Sequence, residues 1–232
     1  EQLRPHTETH PRLLVHMASL AALLEQSGDR PGALRVLEQS LGLAREKLGT
    51  TNDTTLELMD ALGLRYYNAG RFSKSVPLFE AALAARRSWP GGPHPKLLHT
   101  LLNMGVNYTA AGRVQAGKKA FAEAVGLCEV DPSFWEQAES GMLRMVATAY
   151  GALDRRDDEL EVLRRLVARL QKESGGREGD TAVNQARSYL GAWLFQRRRF
   201  EEAIPIFEAV LGELERTLGR ESLETIRTMG NL

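Results

Sequence analysis

The sequence predicts an all-α fold built from stacked antiparallel helix hairpins, and two observations support this. A pattern that ends at Gly28 returns 42 residues later at 62–70, then at the same interval at 104–112 and 146–154, and after 44 residues at 190–198. A fixed period of about 20–50 residues indicates repeated units that each pack mainly against their neighbours. Each period also contains two amphipathic helical patterns, and strand patterns are absent from the sequence.

Within one period, the two predicted helices flank a short turn. In the second period Leu58, Leu62 and Tyr66 share one helical face, and Gly70 is placed to end that helix in a left-handed conformation. Small residues in the first helix and large ones in the second predict close packing of the two helices. The small column is Ala21, Gly63, Gly105, Ala147 and Gly191, and the large column is Leu37, Phe79, Phe121, Leu163 and Phe207. Glu159 interrupts a further small column, which predicts looser packing in the fourth hairpin.

The loops divide the chain, residues 1–232, into one predicted array of repeats. The predicted repeats are 9–49, 50–92, 93–130, 131–176 and 177–219, and 220–232 is the first helix of a truncated sixth. The sequence begins without methionine and stops inside a repeat, so we expect a fragment that is attached to a larger polypeptide.

Composition excludes several classes of partner. Thirty basic and thirty acidic residues cancel, which argues against nucleic acid and against an anionic membrane surface as partners. Apolar runs are too short to cross a bilayer, which takes about 18 residues. The single cysteine, Cys128, cannot form a disulfide within the chain and is expected to be a small buried hydrophobe. A reducing, cytoplasmic location is therefore expected.

The sequence predicts no catalytic site, no metal site and no cofactor. His6, Glu8 and His10 do not have the spacing of a zinc-enzyme helix. The glycine-rich segment 175–179 has neither a preceding strand nor the lysine of a phosphate-binding loop. The acids within 154–159 fit a solvated helix start, and the arginines 197–199 fit a solvated turn.

These columns resemble the tetratricopeptide repeat. That family has a small residue late in the first helix, an aromatic residue three positions later, a turn glycine and a phenylalanine in the second helix. The matching residues are Gly63, Tyr66, Gly70 and Phe79 in the second period, and Gly105, Tyr108, Gly112 and Phe121 in the third. The longer period resembles the kinesin light chain type. Its markers here are Leu48-Gly49, Leu218-Gly219, His10-Pro11, His94-Pro95, Thr100-x-x-Asn103-Met104 and Thr228-x-x-Asn231-Leu232.

The resemblance implies a right-handed α-solenoid whose first helices line a concave groove that binds a protein or peptide. Groove positions carried over residue by residue are Asp60, Leu64, Tyr67, Asn68, His99, Leu102, Asn103, Val106, Arg144, Thr148, Tyr189 and Phe195. Leu64, Tyr67 and Val106 are expected to be apolar anchors, and Arg144 to face an acidic ligand residue. Alternatively, some of these apolar residues pack under neighbouring helices. Arg86 and Lys118 are expected on the opposite, convex face.

Two functions are consistent with this pattern. The first is a non-catalytic protein–protein interaction module that binds a peptide or partner segment in its groove. The alternative is a regulatory or sensor array of a larger signalling enzyme, such as a kinase, a signalling ATPase or a caspase-like protease, whose catalytic domain lies outside this sequence. A self-assembling scaffold is a third, weaker option. A nucleotide-binding motif in the full open reading frame would favour the regulatory array.

Overall fold

The computed structural model describes residues 11–90, 94–177 and 179–222, and these ranges contain eleven α-helices and no strand. The helices are α1 (Pro11–Gln26), α2 (Arg30–Leu48), α3 (Asp53–Asn68), α4 (Phe72–Arg87), α5 (Leu97–Ala110), α6 (Val114–Val130), α7 (Phe134–Gln137), α8 (Ser140–Ala152), α9 (Arg156–Glu173), α10 (Thr181–Gln196) and α11 (Phe200–Leu218). The histidines and glutamate of segment 6–10 lie outside the described residues. The sequence predicts the first helix of a sixth repeat at 220–232; residues 220–222 are not helical, and the rest of that range lies outside the described residues.

The chain divides into two compact units, and the division falls within α6. Unit 1 comprises residues 1–124, in which α1 packs on α2, α3 packs on α4, and the contacts α2–α3 and α4–α5 join successive hairpins. Unit 2 comprises residues 125–232, in which α8 packs on α9, α10 packs on α11, and α9 contacts α10. The predicted all-α class of antiparallel helix hairpins is confirmed, while the repeat boundaries and the single array stay predictions.

Close packing inside three of the hairpins follows the predicted small and large columns. A Cβ atom added to Gly63 would lie 2.8 Å from the Phe79 ring. The corresponding distance is 2.4 Å for Gly105 and Phe121, and 3.0 Å for Gly191 and Phe207. Glycine in a helix costs about 1 kcal/mol relative to alanine. Here it lets an aromatic ring of the second helix approach the backbone of the first.

The fourth hairpin does not pack more loosely at Glu159, contrary to the sequence prediction. In the third hairpin a Cβ atom on Gly117 would lie 2.4 Å from Oγ1 of Thr109. The corresponding residues in the fourth are Glu159 and Gly151, so the bulky and small members have exchanged helices. Glu159 is buried, and its Oε1 atom would be 2.8 Å from a Cβ atom on Gly151. The glycine makes room for the carboxylate, which accepts a hydrogen bond from Arg156 at 3.2 Å.

The hairpin turns differ in how they reach the left-handed conformation. Gly70 and Gly112 have φ angles of 69° and 77°. At the corresponding positions of the fourth and fifth hairpins stand Asp154 and Arg198, with φ angles of 62° and 60°. A residue with a Cβ atom is disfavoured there by roughly 1–2 kcal/mol. Both strained turns belong to unit 2.

Tyrosine hydroxyls connect successive hairpins of unit 1. Tyr66 donates a hydrogen bond to Glu38, and Tyr108 donates one to Glu80 at 2.7 Å. Burial first, and then the hydrogen bond to the neighbouring glutamate, together raise the pKa of each tyrosine to about 12. These phenols therefore stay protonated well above the pH at which an exposed tyrosine ionises.

Cys128 is fully buried in α6, as the sequence predicts. Burial raises the pKa of its thiol to about 12, so the reactive thiolate is suppressed at neutral pH.

Candidate partner-binding cleft

A cleft of about 370 Å³ opens between α8, α9 and α10 in unit 2. Its lining comes from all three helices: Arg144, Ala147, Thr148, Leu163, Leu166, Gln185, Ala186 and Tyr189. Three of the predicted groove residues, Arg144, Thr148 and Tyr189, meet here. This is the place where the structure brings predicted site residues together around a concave space.

The cleft has an apolar interior. Leu163 and Leu166 of α9 are buried, as are Ala147 and Ala186 on the two flanking helices. The alanines matter because a larger side chain at either position would extend into the space between α8 and α10. An apolar pocket with a few polar groups at its edge is typical of binding sites.

The rim of the cleft is polar and exposed. Arg144 and Thr148 lie one turn apart on α8, and the Thr148 hydroxyl donates a hydrogen bond to the Arg144 carbonyl at 3.0 Å. That bond satisfies the hydroxyl and fixes the side chain. Tyr189 on α10 leaves 58% of its surface exposed at the rim. Large exposed aromatic side chains of this kind often provide the main contacts at interfaces.

Arg144 supplies an uncompensated positive charge. Within the described ranges no carboxylate forms an ion pair with it. Arg187, on the neighbouring helix α10, is by contrast held by Glu213 at 2.5 Å. The cleft therefore combines an apolar floor with a cation at its edge, which suits an apolar side chain close to a carboxylate.

The corresponding position in unit 1, between α3, α4 and α5, is occupied by Arg86. Its side chain is buried, with Nη1 lying 2.7 Å from Oδ2 of Asp60 and also donating to the Thr100 hydroxyl. The expectation that Arg86 lies on the convex face is therefore wrong. Desolvation raises the pKa of Asp60, and the Arg86 charge opposes that shift. Asp60 is thus engaged inside the protein and is only partly accessible.

His99 and Asn103 lie beside this buried ion pair on α5. Nδ1 of His99 is 3.3 Å from the Asn103 amide nitrogen. Desolvation lowers the pKa of His99, the charges of Arg86 and Lys96 add to that effect, and Asp60 opposes it. A less basic imidazole favours a neutral side chain on this surface.

The remaining predicted residues do not form a common site. Leu64 is 39% exposed and Val106 is half-buried. Tyr67 is half-buried against Phe72, with ring centroids 5.8 Å apart. Asn68 ends α3 at a hairpin turn, where it lines a different cleft. These residues therefore lie along α3 and α5 without enclosing one described pocket.

Two predicted groove residues lie elsewhere than expected. Leu102 is completely buried, so the expectation that it is an exposed groove residue is wrong. An apolar side chain at that position gains by packing inside, whereas Arg144 at the corresponding position of α8 must reach water. Phe195 is exposed, but it contacts Phe200 at the hairpin turn, with ring centroids 5.4 Å apart, and does not line the cleft.

Sequence reasoning missed the floor of the cleft because it considered only the first helix of each hairpin. The available signal was Leu163 in the large column, where three other hairpins carry phenylalanine. A leucine there leaves space that a phenyl ring would fill.

Among the residues that the structure describes, His, Cys, Asp and Glu side chains form no group of three or more that could hold a metal ion. Among the same residues, each helix is too short or too polar to cross a membrane.

Comparisons with known proteins identify the repeat. A sequence model described as tetratricopeptide repeat matches residues 12–88 and 54–129, and a second model of the same description matches residues 185–224. No curated protein matches the chain.

Solved structures share the fold. A Podosopora anserina protein assigned as a kinesin light chain with nearly identical TPR-like repeats gives a TM-score of 0.67 at 22% identity, covering 92% of this chain and 100% of its own. BtubC (BKLC) from P. vanneervenii gives a TM-score of 0.62 at 16% identity, with 94% and 81% covered. MamA from Desulfovibrio magneticus RS-1 gives 0.56 at 15% identity, with 90% and 97% covered. The predicted resemblance to kinesin light chain-like repeats is thereby confirmed.

Proposed function

The chain belongs to the tetratricopeptide repeat family, and we propose that it is a non-catalytic module that binds a peptide or partner segment in the cleft between α8, α9 and α10. Proteins of this family typically bind other proteins and typically lack catalysis. The observation that supports this particular cleft is its apolar floor beside the unpaired Arg144.

The proposed ligand places an apolar side chain between Ala147 and Ala186, against Leu163 and Leu166. A carboxylate next to that side chain pairs with Arg144, and the ring of Tyr189 covers it from the α10 side. Burial of the apolar side chain contributes most of the affinity, roughly 1.5–3 kcal/mol for a residue of leucine size. The ion pair at the exposed rim adds less and mainly orients the segment.

Two finer predictions go with this proposal. A cytoplasmic location fits the single buried cysteine. The regulatory array attached to a larger signalling enzyme stays the alternative, and a binding cleft of this kind would serve either function. The full open reading frame decides between them.

A photocrosslinking experiment tests the cleft directly. A benzophenone amino acid replaces Gln185 at the rim, and in a control protein it replaces Lys172, an exposed residue that does not line the cleft. Crosslinking in host lysate, followed by mass spectrometry, should give a partner peptide from the Gln185 protein that is missing from the Lys172 control. Identical crosslinked products from both proteins would contradict a defined site.

The captured partner is then titrated against cleft variants. Tyr189→Ala should weaken binding about thirtyfold, corresponding to about 2 kcal/mol for a central aromatic residue. Thr148→Trp should block the cleft from its rim while leaving the buried residues unchanged. Lys172→Ala is the matched control and should bind like the wild type. Equal binding by all variants would mean that the cleft is not the site.

A further inference from the structure

Two more clefts lie along one side of unit 1, where successive hairpin turns meet. The first, of about 250 Å³, lies between the α1–α2 turn and the end of α3, and its lining includes Arg30, Leu34, Asn68 and Ala69. The second, of about 420 Å³, lies between the start of α4 and the α5–α6 turn, and its lining includes Phe72, Ser73, Val76, Pro77, Ala110 and Ala111. We call this side, residues 25–34, 65–80 and 110–113, the turn edge of unit 1.

The turn edge carries positive charge that the protein does not neutralise. Arg30 and Arg71 are exposed, and neither pairs with a carboxylate among the described residues. Lys74 lies 5.1 Å from the centroid of the Tyr66 ring and likewise has no acidic partner within the described ranges. Arg30 lines the first cleft, and Arg71 and Lys74 are sequence neighbours of Phe72 and Ser73, which line the second.

Two of the three acids on the same edge pair with cations. Glu25 pairs with Arg65, and Glu80 lies 3.5 Å from Arg113. Asp29 has no cationic partner among the described residues, since its hydrogen bond at 2.8 Å comes from the neutral Gly32 amide. Three unpaired cations therefore face one unpaired acid, which leaves a net positive charge on the turn edge.

Backbone polarity adds to this field. The second helix α4 begins at the turn edge with no acid in its first turn and no side-chain cap, whereas the Asp29 carboxylate caps the start of α2. A helix start carries partial positive charge and unbonded amide groups. In unit 2 the corresponding helices α9 and α11 begin with acids, among them Asp157 and Glu201.

The second cleft also offers a backbone acceptor. Pro77 lies inside α4 and has no amide hydrogen to donate to the Ser73 carbonyl, which is its usual partner in a helix. Both residues line the cleft. An amide of an extended segment in the cleft could therefore donate to this carbonyl.

We propose that the turn edge of unit 1 is a second docking surface, which binds an acidic segment of a partner protein. Carboxylates of the segment pair with Arg30, Arg71 and Lys74, and small apolar side chains between them enter the two clefts. This surface is separate from the cleft in unit 2 and does not depend on it. Charge complementarity selects the acidic occupant, because an added cationic or neutral segment would leave the three cations unpaired.

Fluorescence anisotropy with a defined probe tests the proposal. The probe is a labelled peptide of repeated Glu-Ala-Asp-Leu units, and its amide counterpart is Gln-Ala-Asn-Leu. The edge variant is Arg30→Glu/Arg71→Glu/Lys74→Glu. The matched variant, Arg35→Glu/Arg45→Glu/Lys119→Glu, makes the same charge change at three exposed cations that lie outside the turn edge. Circular dichroism checks that both remain helical.

The acidic probe should bind the wild type, and the amide probe should not. The edge variant should lose about tenfold or more in affinity, because three screened contacts each contribute a few-fold, while the matched variant loses much less. Ala110→Trp, which fills the second cleft without changing charge, should also weaken binding. The same comparison is repeated in a Thr148→Trp background, where the unit 2 cleft is blocked, because that cleft would also take a leucine beside a carboxylate. The difference between the edge variant and its parent should persist there, which separates this surface from the unit 2 cleft.

Three outcomes would overturn the proposal. Equal losses of affinity in the edge and matched variants would indicate that the probe responds to the overall charge of the protein and not to the turn edge. Wild-type binding by Ala110→Trp would show that the cleft is not used. If the wild type does not bind the acidic probe at low ionic strength, the turn edge is not a docking surface for acidic segments.

Discussion

The junctions α3–α4–α5 in unit 1 and α8–α9–α10 in unit 2 use the same positions of the repeat and reach opposite results. In unit 1, Arg86 fills the space and binds Asp60 and Thr100. In unit 2 the residue at the position of Arg86 is the buried Leu170, and an open apolar cleft lies nearby. The contrast shows that the repeat determines where a pocket can form, while individual side chains decide whether it is open.

The largest expected effect comes from removing the occupant of the unit 1 junction. Arg86→Leu leaves the Asp60 carboxylate partly buried without its cation, so the free energy of unfolding should fall by about 3–5 kcal/mol. Urea denaturation followed by circular dichroism measures it. The double variant Arg86→Leu/Asp60→Leu, in which no charge remains, should recover most of the loss. A stable single variant would show that the ion pair is not what closes this junction.

The glycine contacts provide the second test, because they are tighter in unit 1. Gly105→Ala places a Cβ atom 2.4 Å from the Phe121 ring and should cost about 1–3 kcal/mol through overpacking. Gly191→Ala meets the far end of Phe207 at 3.0 Å, and the gain in helix propensity of about 1 kcal/mol should offset its smaller cost. Gly42→Ala, which meets nothing within 4 Å, is the control and should be stabilising. The reverse order in melting temperature would contradict the packing scheme.

The hydrogen-bonded tyrosines of unit 1 should make the stability of the protein sensitive to alkaline pH. The pKa of Tyr66 is about 12 in the folded protein and about 10 in an unfolded chain. The folded state therefore holds this proton more tightly, and stability falls as the pH rises from about 10 to 12. The loss from this one group is about 1.4 kcal/mol at pH 11.

Tyr66→Phe should flatten that part of the stability profile, measured by urea denaturation between pH 9 and 11. Tyr189→Phe, which changes an exposed phenol in unit 2, is the control and should leave the slope as it is in the wild type. An identical slope in the Tyr66 variant would mean that its phenol ionises normally.

The smallest expected effect concerns the strained turns of unit 2. Arg198→Gly removes a Cβ atom from a residue with a φ angle of 60° and should stabilise the protein by about 1 kcal/mol. Asp154→Gly should gain less, because it also removes the ion pair with Arg156 at 2.6 Å. In unit 1, Gly112→Ala should destabilise by a similar amount. In thermal melts, the melting temperature should therefore rise for the two unit 2 variants and fall for Gly112→Ala.

The sequence was sufficient to predict the fold because the repeat imposes the same packing many times. Gly63 against Phe79 and Gly105 against Phe121 could be read from spacing alone, since helix geometry fixes which residues face each other. The exchange of sizes between Gly151 and Glu159 was not predicted, because it becomes visible only when positions 151 and 159 are compared with Thr109 and Gly117 of the third hairpin.

The candidate site was predictable in part. Offsets within the first helix single out Arg144, Thr148 and Tyr189, and these three residues line one concave space. The same offsets put Leu102 at the surface, where the structure buries it. Helical periodicity predicts the face of the helix on which a residue lies. It does not predict which of several neighbouring side chains will be buried. For that reason the burial of Arg86, a charged residue, could not be anticipated without its partners.

The contact between Gly151 and Glu159 restricts the order in which this sequence can change. A side chain acquired first at position 151 would collide with the buried carboxylate, since even a Cβ atom would lie 2.8 Å from it. A smaller residue at position 159 would leave room for later growth at position 151. The arrangement of Thr109 and Gly117 could therefore arise at positions 151 and 159 in one order only, with the substitution at 159 first. The effect of a substitution at 151 depends on whether the one at 159 has already occurred.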